Sequence, residues 1–186
     1  MRIISGSLKG KKINFLKSSV TRPLKDSVKE NIFNIIKHSN HFDVRISHSK
    51  ILDLYSGVGS FGLECISRGA REVTFVEKDQ EASNILKKNV LDLSIHNTAK
   101  IVNEDVKNFL NQNIKSKYQI IFLDPPFRDS KFIENIKLIK KYEFFEKKHI
   151  VIIHREKNTK DNYSENLFII LEKIYRRSKV IFGTFT

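Results

Sequence analysis

One segment decides the fold: Asp53-Leu54-Tyr55-Ser56-Gly57-Val58-Gly59-Ser60-Phe61-Gly62. It continues an apolar run that begins at Ile51 and is typical of a buried strand, and it leads into a helix pattern over 61–67. Glycines let the backbone turn tightly and approach a ligand closely. The free N–H groups at the start of a helix attract an anionic group such as a carboxylate or a phosphate. The segment therefore predicts a ligand-binding turn after the first strand of an α/β fold.

Outward from this segment, strand patterns and helix patterns alternate along the chain. The later pairs are a strand over 73–76 with a helix over 81–91, a strand over 99–102 with a helix over 106–111, and a strand over 118–123 with a helix over 132–140, before a fifth strand over 149–154. Such alternation predicts right-handed βαβ units, and hence a mostly parallel sheet with helices on both faces.

The end of the sequence breaks this alternation. Two strand-like runs, 167–175 and 179–185, follow the fifth strand with no helix pattern between them. Only Arg176-Arg177-Ser178 separates the two runs, which indicates a hairpin. The sheet is therefore expected to end with an antiparallel strand.

The residues before the first strand divide into three parts. Residues 1–20 predict a basic N-terminal arm or hairpin, 28–37 an amphipathic helix, and 38–49 an exposed loop. A chain of 186 residues suits one domain and leaves little for a second core. We therefore expect the arm over 1–20 to precede one α/β domain over 21–186.

The charge is basic and unevenly spread. The 34 Lys and Arg residues exceed the 21 acids by 13. Eight basic residues and one acid lie in residues 1–29, so this part alone carries +7. A local basic excess attracts a phosphate backbone and binds it with release of counterions. A general preference for lysine explains the total better than it explains this concentration, so the pattern favours a nucleic-acid partner.

Several classes of protein are disfavoured by the composition. The single cysteine, Cys65, excludes an internal disulfide, and no apolar run approaches the length that spans a bilayer. The first residues do not resemble a signal peptide. We therefore expect a cytoplasmic protein without a membrane segment. His38, His41 and His48 lie in a polar loop without the spacing of a metal site, so no metal is expected.

The glycine turn admits two ligands. Gly57, Gly59 and Gly62 fit the dinucleotide fingerprint G-x-G-x-x-G, and Glu77 follows Gly57 by 20 residues, where a ribose-binding acid is expected. Asp53 favours a different ligand, because a carboxylate inside the strand suits a cation better than a pyrophosphate. S-adenosylmethionine carries an ammonium and a sulfonium. The alternative role for Asp53 is to accept hydrogen bonds from loop amides.

Two further acids follow strand patterns. Glu77 ends the second strand, where a carboxylate can accept both ribose hydroxyls. Asp105 follows the third strand and could accept from an adenine amino group, with Val106 donating its backbone N–H. Asp105 could equally cap the next helix, and the two roles are compatible.

The segment Asp124-Pro125-Pro126-Phe127 follows the apolar fourth strand directly. In an open α/β sheet the carboxyl ends of the strands form the binding crevice. Asp124 and the Pro125 carbonyl can accept the two N–H groups of an exocyclic amine, which frees its lone pair for methyl transfer by positioning and electrostatics. Asp124 can also take the lost proton, and Phe127 can stack on the base. The alternative is an ordinary strand-ending turn.

A base inside a helix cannot reach such a pocket. The nucleotide must be single-stranded, bulged or flipped out of its stack. The basic arm could hold the surrounding backbone.

In their order and spacing, Asp53-x-x-x-Gly57-x-Gly59, Glu77, Asp105 and Asp124-Pro-Pro-Phe127 resemble the class I methyltransferases. The N-terminal segments Met1-Arg2-Ile3-Ile4-Ser5-Gly6, Lys9-Gly10-Lys11-Lys12-Ile13, Thr21-Arg22-Pro23 and Asp26 to Asn34 resemble the RsmD family, the bacterial 16S rRNA guanine-N2 methyltransferases. The resemblance spans nearly the whole chain and is dense up to Phe127. It implies a Rossmann-like seven-stranded sheet, S-adenosylmethionine as methyl donor and N2-methylguanosine as product.

The resemblance also implies roles for particular residues. Asp53, Gly57 and Gly59 would line the methionine part of the cofactor, Glu77 would hold the ribose and Asp105 with Val106 the adenine, and Lys78 is also expected to bind the cofactor. Asp124, Pro125 and Phe127 would handle the guanine. Arg22 and its neighbours would face the RNA or close over the site, and Lys9, Lys11 and Lys12 are also expected to bind the substrate. The implied partner is 16S rRNA within the small ribosomal subunit or an assembly intermediate. The protein is expected to act as a monomer.

Three alternatives stay open at this point. A DNA amino-methyltransferase, acting on adenine N6 or cytosine N4, uses the same motif but usually carries a target-recognition domain. An NAD-dependent oxidoreductase would use the three glycines and leave Asp53 and the Asp124 turn without a role. A non-catalytic rRNA-binding assembly factor would not need Asp124 and Glu77.

Overall fold

The strands of the protein form one seven-stranded sheet, described by a computed structural model that covers residues 1–16, 24–112, 115–163 and 165–186. The strands are β1 Lys50–Leu54, β2 Glu72–Val76, β3 Ala99–Val102, β4 Tyr118–Leu123, β5 Phe145–Glu156, β6 Phe168–Ile174 and β7 Ser178–Thr184. The helices are α1 Asp26–His38, α2 Ser60–Ser67, α3 Gln80–Asp92, α4 Val106–Leu110 and α5 Phe132–Lys141.

The strand order is β3-β2-β1-β4-β5-β7-β6. Strands β1 to β5 are parallel, so they all end at one edge of the sheet, which we call the carboxyl edge. The predicted mostly parallel sheet with a final hairpin is confirmed. The antiparallel strand is β7, and it inserts between β5 and β6, so that β6 forms the outer edge.

Helices cover both faces of the sheet, as predicted. Side chains of a strand alternate between faces. In β4, Ile120 and Phe122 pack in the cluster that contains α1, α2 and α3, whereas Ile121 and Leu123 pack in the cluster that contains α4 and α5. Because the central strands are buried on both sides, their ends are fixed in position. No helix of the described ranges is long and apolar enough to cross a membrane.

The N-terminal segment, residues 1–16, packs alongside α2. Ile3 and Ile13 are buried in the core, and an antiparallel bridge joins Arg2 to Lys12. The fully buried Glu64 of α2 accepts the backbone N–H groups of Ile4 (2.7 Å) and Ser5 (2.9 Å). The remainder of the predicted arm, 17–20, lies outside the described residues.

Lys29 is completely buried, so it adds nothing to the basic surface that the sequence suggested for residues 1–29. Its Nζ donates to Ser60 Oγ (3.2 Å) and to the carbonyl of Arg2 (3.3 Å), and it lies 3.6 Å from Asp26. Burial lowers the pKa of Lys29, although Glu64 and Asp26 oppose that shift. Lys29 therefore joins α1, α2 and the N-terminal segment.

The loop over 39–49 is not wholly exposed, which corrects the expectation for this part. Val44 and Ile46 are buried, and the Phe42 ring lies 5.8 Å from that of Phe182. The loop carries its apolar side chains under α1 and onto the sheet. Such burial has no periodic signature in a short irregular segment, so the polar composition of the loop concealed it.

Candidate active site

Four acidic residues lie at the ends of four neighbouring strands. Asp53 belongs to β1, and Glu77, Asp105 and Asp124 follow β2, β3 and β4 by one to three residues. The strands lie in the order β3-β2-β1-β4, so the carboxyl edge carries the acids side by side. The acids predicted from the sequence are thus brought together.

The glycine turn connects β1 to α2 with left-handed backbone. Gly57 has φ 54° and Gly59 has φ 88°, values that glycine adopts without strain. A Cβ atom on Gly59 would lie 2.4 Å from Leu86 Cδ1, so this position also needs the absence of a side chain. A Cβ on Gly57 would meet open space. The Gly57 position therefore leaves the backbone accessible from the solvent side.

Asp53 is buried beneath this turn. Its Oδ2 accepts the backbone N–H of Gly62 at 2.9 Å, so the loop-amide role is present. Burial raises the pKa of the Asp53 carboxyl well above its ordinary value, and the nearby Asp124 and Glu77 carboxylates raise it further. A buried acid in such an environment favours a cation next to it.

Glu77 holds the glycine turn from the neighbouring strand. Its Oε2 accepts the N–H of Gly57 and its Oε1 accepts that of Asp79, both at 2.8 Å. Each carboxylate oxygen has a second lone pair, so these bonds leave acceptor capacity for hydroxyl groups. The side chain is half-buried at the edge and stands in a fixed orientation.

Asp105 caps α4, as one of its two predicted roles requires. Its Oδ1 accepts the N–H of Lys107 at 2.9 Å, and its side chain is 48% exposed. Lys78 Nζ lies 4.0 Å from Asp105 Oδ2, with both groups in solvent. Val106, the first residue of α4, is buried. Lys78 and Asp105 therefore form the exposed end of the site, with the buried Val106 beneath them.

Asp124 is paired with His154, a residue of β5 that the sequence analysis did not select. His154 Nδ1 lies 2.8 Å from Asp124 Oδ1; the His154 side chain is 9% exposed and that of Asp124 is 25% exposed. The edge of one ring faces the other between Phe127 and His154, with centroids 5.7 Å apart. His154 therefore contacts both the acid and the aromatic residue of the predicted amine site.

Arg155, the next residue, holds the Asp124–Asp129 turn from beneath. Its guanidinium donates to the carbonyls of Pro126 (3.0 Å), Phe127 (3.1 Å) and Asp129 (3.2 Å). Asp161 pairs with it at 2.9 Å, and the guanidinium carbon lies 4.3 Å from the centre of the Phe132 ring. Pro125 is also buried, but no donor of the described residues contacts its carbonyl. The turn is thus fixed while that carbonyl keeps its acceptor capacity.

A signal for these two residues was present in the sequence. His154 and Arg155 lie near the end of the buried strand β5 at the carboxyl edge, and Asp124 directly follows the end of the neighbouring strand β4. The rule that polar groups at strand ends form the crevice applies to them equally. They lacked a local motif, and their contacts come from residues about thirty positions earlier.

The basic residues predicted to face RNA lie beside different parts of α2, from its start to its end. Lys12, bridged to Arg2, lies near the start of α2, because Lys29 joins the Arg2 carbonyl to Ser60. The turn that carries Lys9 contacts Ser67 at the other end of α2, which points away from the carboxyl edge. Lys11, whose carbonyl accepts the N–H of Ile3, lies between these two positions. Arg22 lies outside the described residues.

The sheet order, the glycine turn and the aligned acids define a class I methyltransferase, an enzyme that uses S-adenosylmethionine. A family model described as "Conserved hypothetical protein 95" matches residues 1–184. The chain belongs to this family, the RsmD family of methyltransferases.

Individual relatives agree with this assignment. The chain is 33% identical to "Ribosomal RNA small subunit methyltransferase D" of Haemophilus influenzae, over 93% of this chain and 88% of that protein. It is 31% identical to the protein of the same name from Buchnera aphidicola, over 92% and 86%. The solved structure of yhhF from Escherichia coli superposes with a TM-score of 0.84 at 28% identity, covering 98% and 96% of the two chains. The oxidoreductase alternative is therefore set aside.

Proposed function

We propose that this methyltransferase modifies the exocyclic N2 amine of a guanine in 16S rRNA, within the small ribosomal subunit or an assembly intermediate. The observation that carries the proposal is the Asp124 carboxylate, which His154 holds at the carboxyl edge beside the cofactor acids. The names of the relatives support ribosomal RNA as the substrate.

The residues at the edge fit S-adenosylmethionine. Asp53 would favour its cationic methionine part, the open backbone at Gly57 would admit it closely, and Glu77 would accept from the ribose hydroxyls. Asp105, Val106 and Lys78 would border the adenine. When bound, the cofactor supplies an electrophilic methyl group on sulfur.

The Asp124 turn would prepare the amine. The exocyclic nitrogen of guanine is a poor nucleophile because its lone pair is delocalised into the ring. Asp124 and the Pro125 carbonyl would each accept one N–H, and this aims the lone pair at the methyl group. The new N–C bond forms as the S–C bond breaks, and the lost proton passes to Asp124 or to water. Phe127, half-buried against His154, would stack on the base.

The site limits the form of the RNA. Asp124 lies at the sheet edge with a quarter of its side chain exposed, which a base inside a helix cannot reach. The guanine must therefore be unpaired or flipped out of its stack.

Methyl transfer from labelled S-adenosylmethionine tests the function directly. Small ribosomal subunits from a strain without this protein are incubated with the enzyme, and the nucleosides are analysed. We expect labelled N2-methylguanosine. Label in another nucleoside would reject the guanine target. In a parallel reaction with DNA as the substrate, label in the DNA together with none in the subunits would favour an amino-methyltransferase of DNA.

The variant Asp124→Ala provides the matched control. Because Asp124 would contact the amine and not the cofactor, we expect transfer to be abolished while S-adenosylhomocysteine binds nearly as well by calorimetry. A loss of cofactor affinity in this variant would make Asp124 structural. A wild-type enzyme that binds S-adenosylhomocysteine but labels no RNA would instead favour a non-catalytic assembly role.

A further inference from the structure

We propose that the turn between β6 and β7 grips the RNA backbone beside the target nucleotide through Arg176 and Arg177, with Lys157 from the adjoining loop. We call these three residues the basic turn. The inference rests on the proposed function and names a contact surface that the sequence motifs do not include.

The topology places the basic turn at the carboxyl edge. Strand β7 pairs with β5 so that Val180 lies opposite His154 and Ser178 lies opposite Glu156. Arg177 is three residues from Val180, which corresponds to about 10 Å along a strand. His154 contacts Asp124 directly. Asp124 is also two strand spacings, about 10 Å, from β7, so the backbone of the basic turn is roughly 14 Å from the acid. That distance is roughly four nucleotide steps, taking about 3.4 Å per step of a stacked strand.

The charges of the basic turn are available to a partner. The side chains of Lys157, Arg176 and Arg177 are exposed, and no ion pair of the described residues includes any of them. Glu156, an exposed acid, precedes Lys157, and Lys160 adds another exposed cation. The nearby acid Asp161 is already paired with Arg155. Unpaired guanidinium groups suit phosphates, which they bind through two parallel hydrogen bonds.

The backbone of the basic turn is fixed before any RNA binds. Tyr175 N–H donates to the Ser178 carbonyl (2.7 Å), and Lys157 N–H donates to the Arg177 carbonyl (3.2 Å). Lys179 Nζ donates to the Thr159 carbonyl (2.8 Å), and the Tyr175 hydroxyl donates to Asn31 Oδ1 of α1. A surface that is already ordered loses less entropy when it binds.

The basic turn places its cations at the carboxyl edge, whereas Lys9 of the N-terminal segment lies away from that edge. Lys9 lies near the end of α2 that points away from the carboxyl edge, so it can reach only RNA that extends down the side of the protein. The basic turn lies on the opposite side of Asp124, beyond β5. The two basic surfaces would thus hold the RNA on both sides of the target nucleotide.

The test compares two double variants of equal charge change. Arg176→Ala with Arg177→Ala removes the basic turn, and Lys147→Ala with Lys148→Ala removes two exposed cations where β5 begins, at the opposite edge of the sheet. Small ribosomal subunits from a strain without the enzyme serve as the probe. The KM for subunits, the salt dependence of binding and the affinity for S-adenosylhomocysteine are measured.

We expect the arginine variant to raise the KM for subunits about tenfold and to reduce the slope of log affinity against log salt by roughly 1.5. Its affinity for S-adenosylhomocysteine stays at the wild-type value. The lysine variant behaves as wild type in all three measurements. Equal effects of the two variants, or a normal KM and salt slope in the arginine variant, would overturn this inference and leave the proposed function intact. A wild-type enzyme that neither binds nor labels subunits would overturn the proposed function and this inference together.

Discussion

The Asp124 carboxylate is oriented by a side chain thirty residues away. His154 Nδ1 lies 2.8 Å from one carboxylate oxygen, which leaves the other oxygen as an acceptor for an amine. His154 itself is held by its place in β5, between β4 and β7. We therefore treat it as a positioning residue that orients Asp124.

The first prediction concerns His154. In His154→Ala the carboxylate loses its orientation, so kcat should fall about 10- to 100-fold with little change in the affinity for S-adenosylhomocysteine. His154→Asn keeps a donor near the position of Nδ1 and should recover most of kcat. An alanine variant with a normal rate, or one that loses cofactor affinity, would refute a positioning role.

The second prediction concerns protons at Asp53. Its carboxyl has a raised pKa in the free protein, chiefly through burial. A bound cation would lower that pKa, so cofactor binding should release protons where the pH lies between the bound and free values. The release should increase as the pH falls towards the raised pKa.

Calorimetry in two buffers of different ionisation enthalpy measures this release. Binding heats of the wild type should differ between buffers in the pH range above the ordinary pKa of a carboxyl group, whereas those of Asp53→Asn should not. Identical heats for the wild type across that range would show that no cation meets Asp53.

At this scale the sequence reveals residues that follow a local pattern. Asp53 precedes the glycine turn by four residues, Glu77 ends an apolar strand pattern and Asp124 precedes two prolines, so their place in the crevice could be predicted. The sequence alone suggests that Lys29 is a surface charge, because its buried contacts with Ser60 and with the Arg2 carbonyl join distant segments. Contacts between distant segments have no local signature.

Among the elements, the Asp124–Asp129 turn has the most specific support. It has no regular structure of its own and depends on Arg155, which binds three of its carbonyls and joins it to Asp161. Proline fixes φ at two positions, and Arg155 fixes the carbonyls that follow. The turn is thus rigid where an amine must be aligned.

The third prediction separates stability from positioning in this turn. Arg155→Met leaves Asp161, whose side chain is 10% exposed, with the Tyr163 hydroxyl but without its cationic partner. The variant should lower the free energy of unfolding by about 3 kcal/mol. Adding Asp161→Asn removes the unpaired charge and should restore part of that loss in denaturant titrations. The rate of methyl transfer should stay low in both variants, because neither holds the carbonyls. If the double variant recovered the rate together with the stability, Arg155 would serve stability alone.

The order of elements could be predicted, but their extent and pairing could not. Strand β5 begins at Phe145 and not at residue 149, since the charged segment 146–148 hides its start. Its first pairing, with Tyr118, precedes a shift in register. The place of β7 between β5 and β6 depends on how the sheet closes, and a hairpin pattern does not specify it.

For the whole molecule, the basic charge matters by its placement. Lys29 and Arg155 are interior, whereas the cations available to RNA lie near α2 and in the basic turn. Two separate surfaces that contact phosphates recognise a backbone shape and carry little sequence information. If both surfaces hold the RNA as proposed, the enzyme needs a substrate whose shape is already formed.

The fourth prediction follows from this placement. The enzyme should prefer an assembled or partly assembled small subunit over a short naked RNA hairpin of the same sequence, by at least about tenfold in kcat/KM. Turnover of both substrates at one fixed salt concentration measures the preference. Equal turnover would mean that the protein reads the local sequence by itself.

The position of β7 also constrains the order of events during synthesis. Translation produces β6 before β7, yet β6 joins the sheet only through β7. Until β7 emerges, the outer side of β5 and both sides of β6 have unpaired backbone groups, which invite pairing with other chains. The nascent chain is therefore most exposed to aggregation in the interval between the two strands, and a chaperone that shields β6 during that interval would act where the fold needs it.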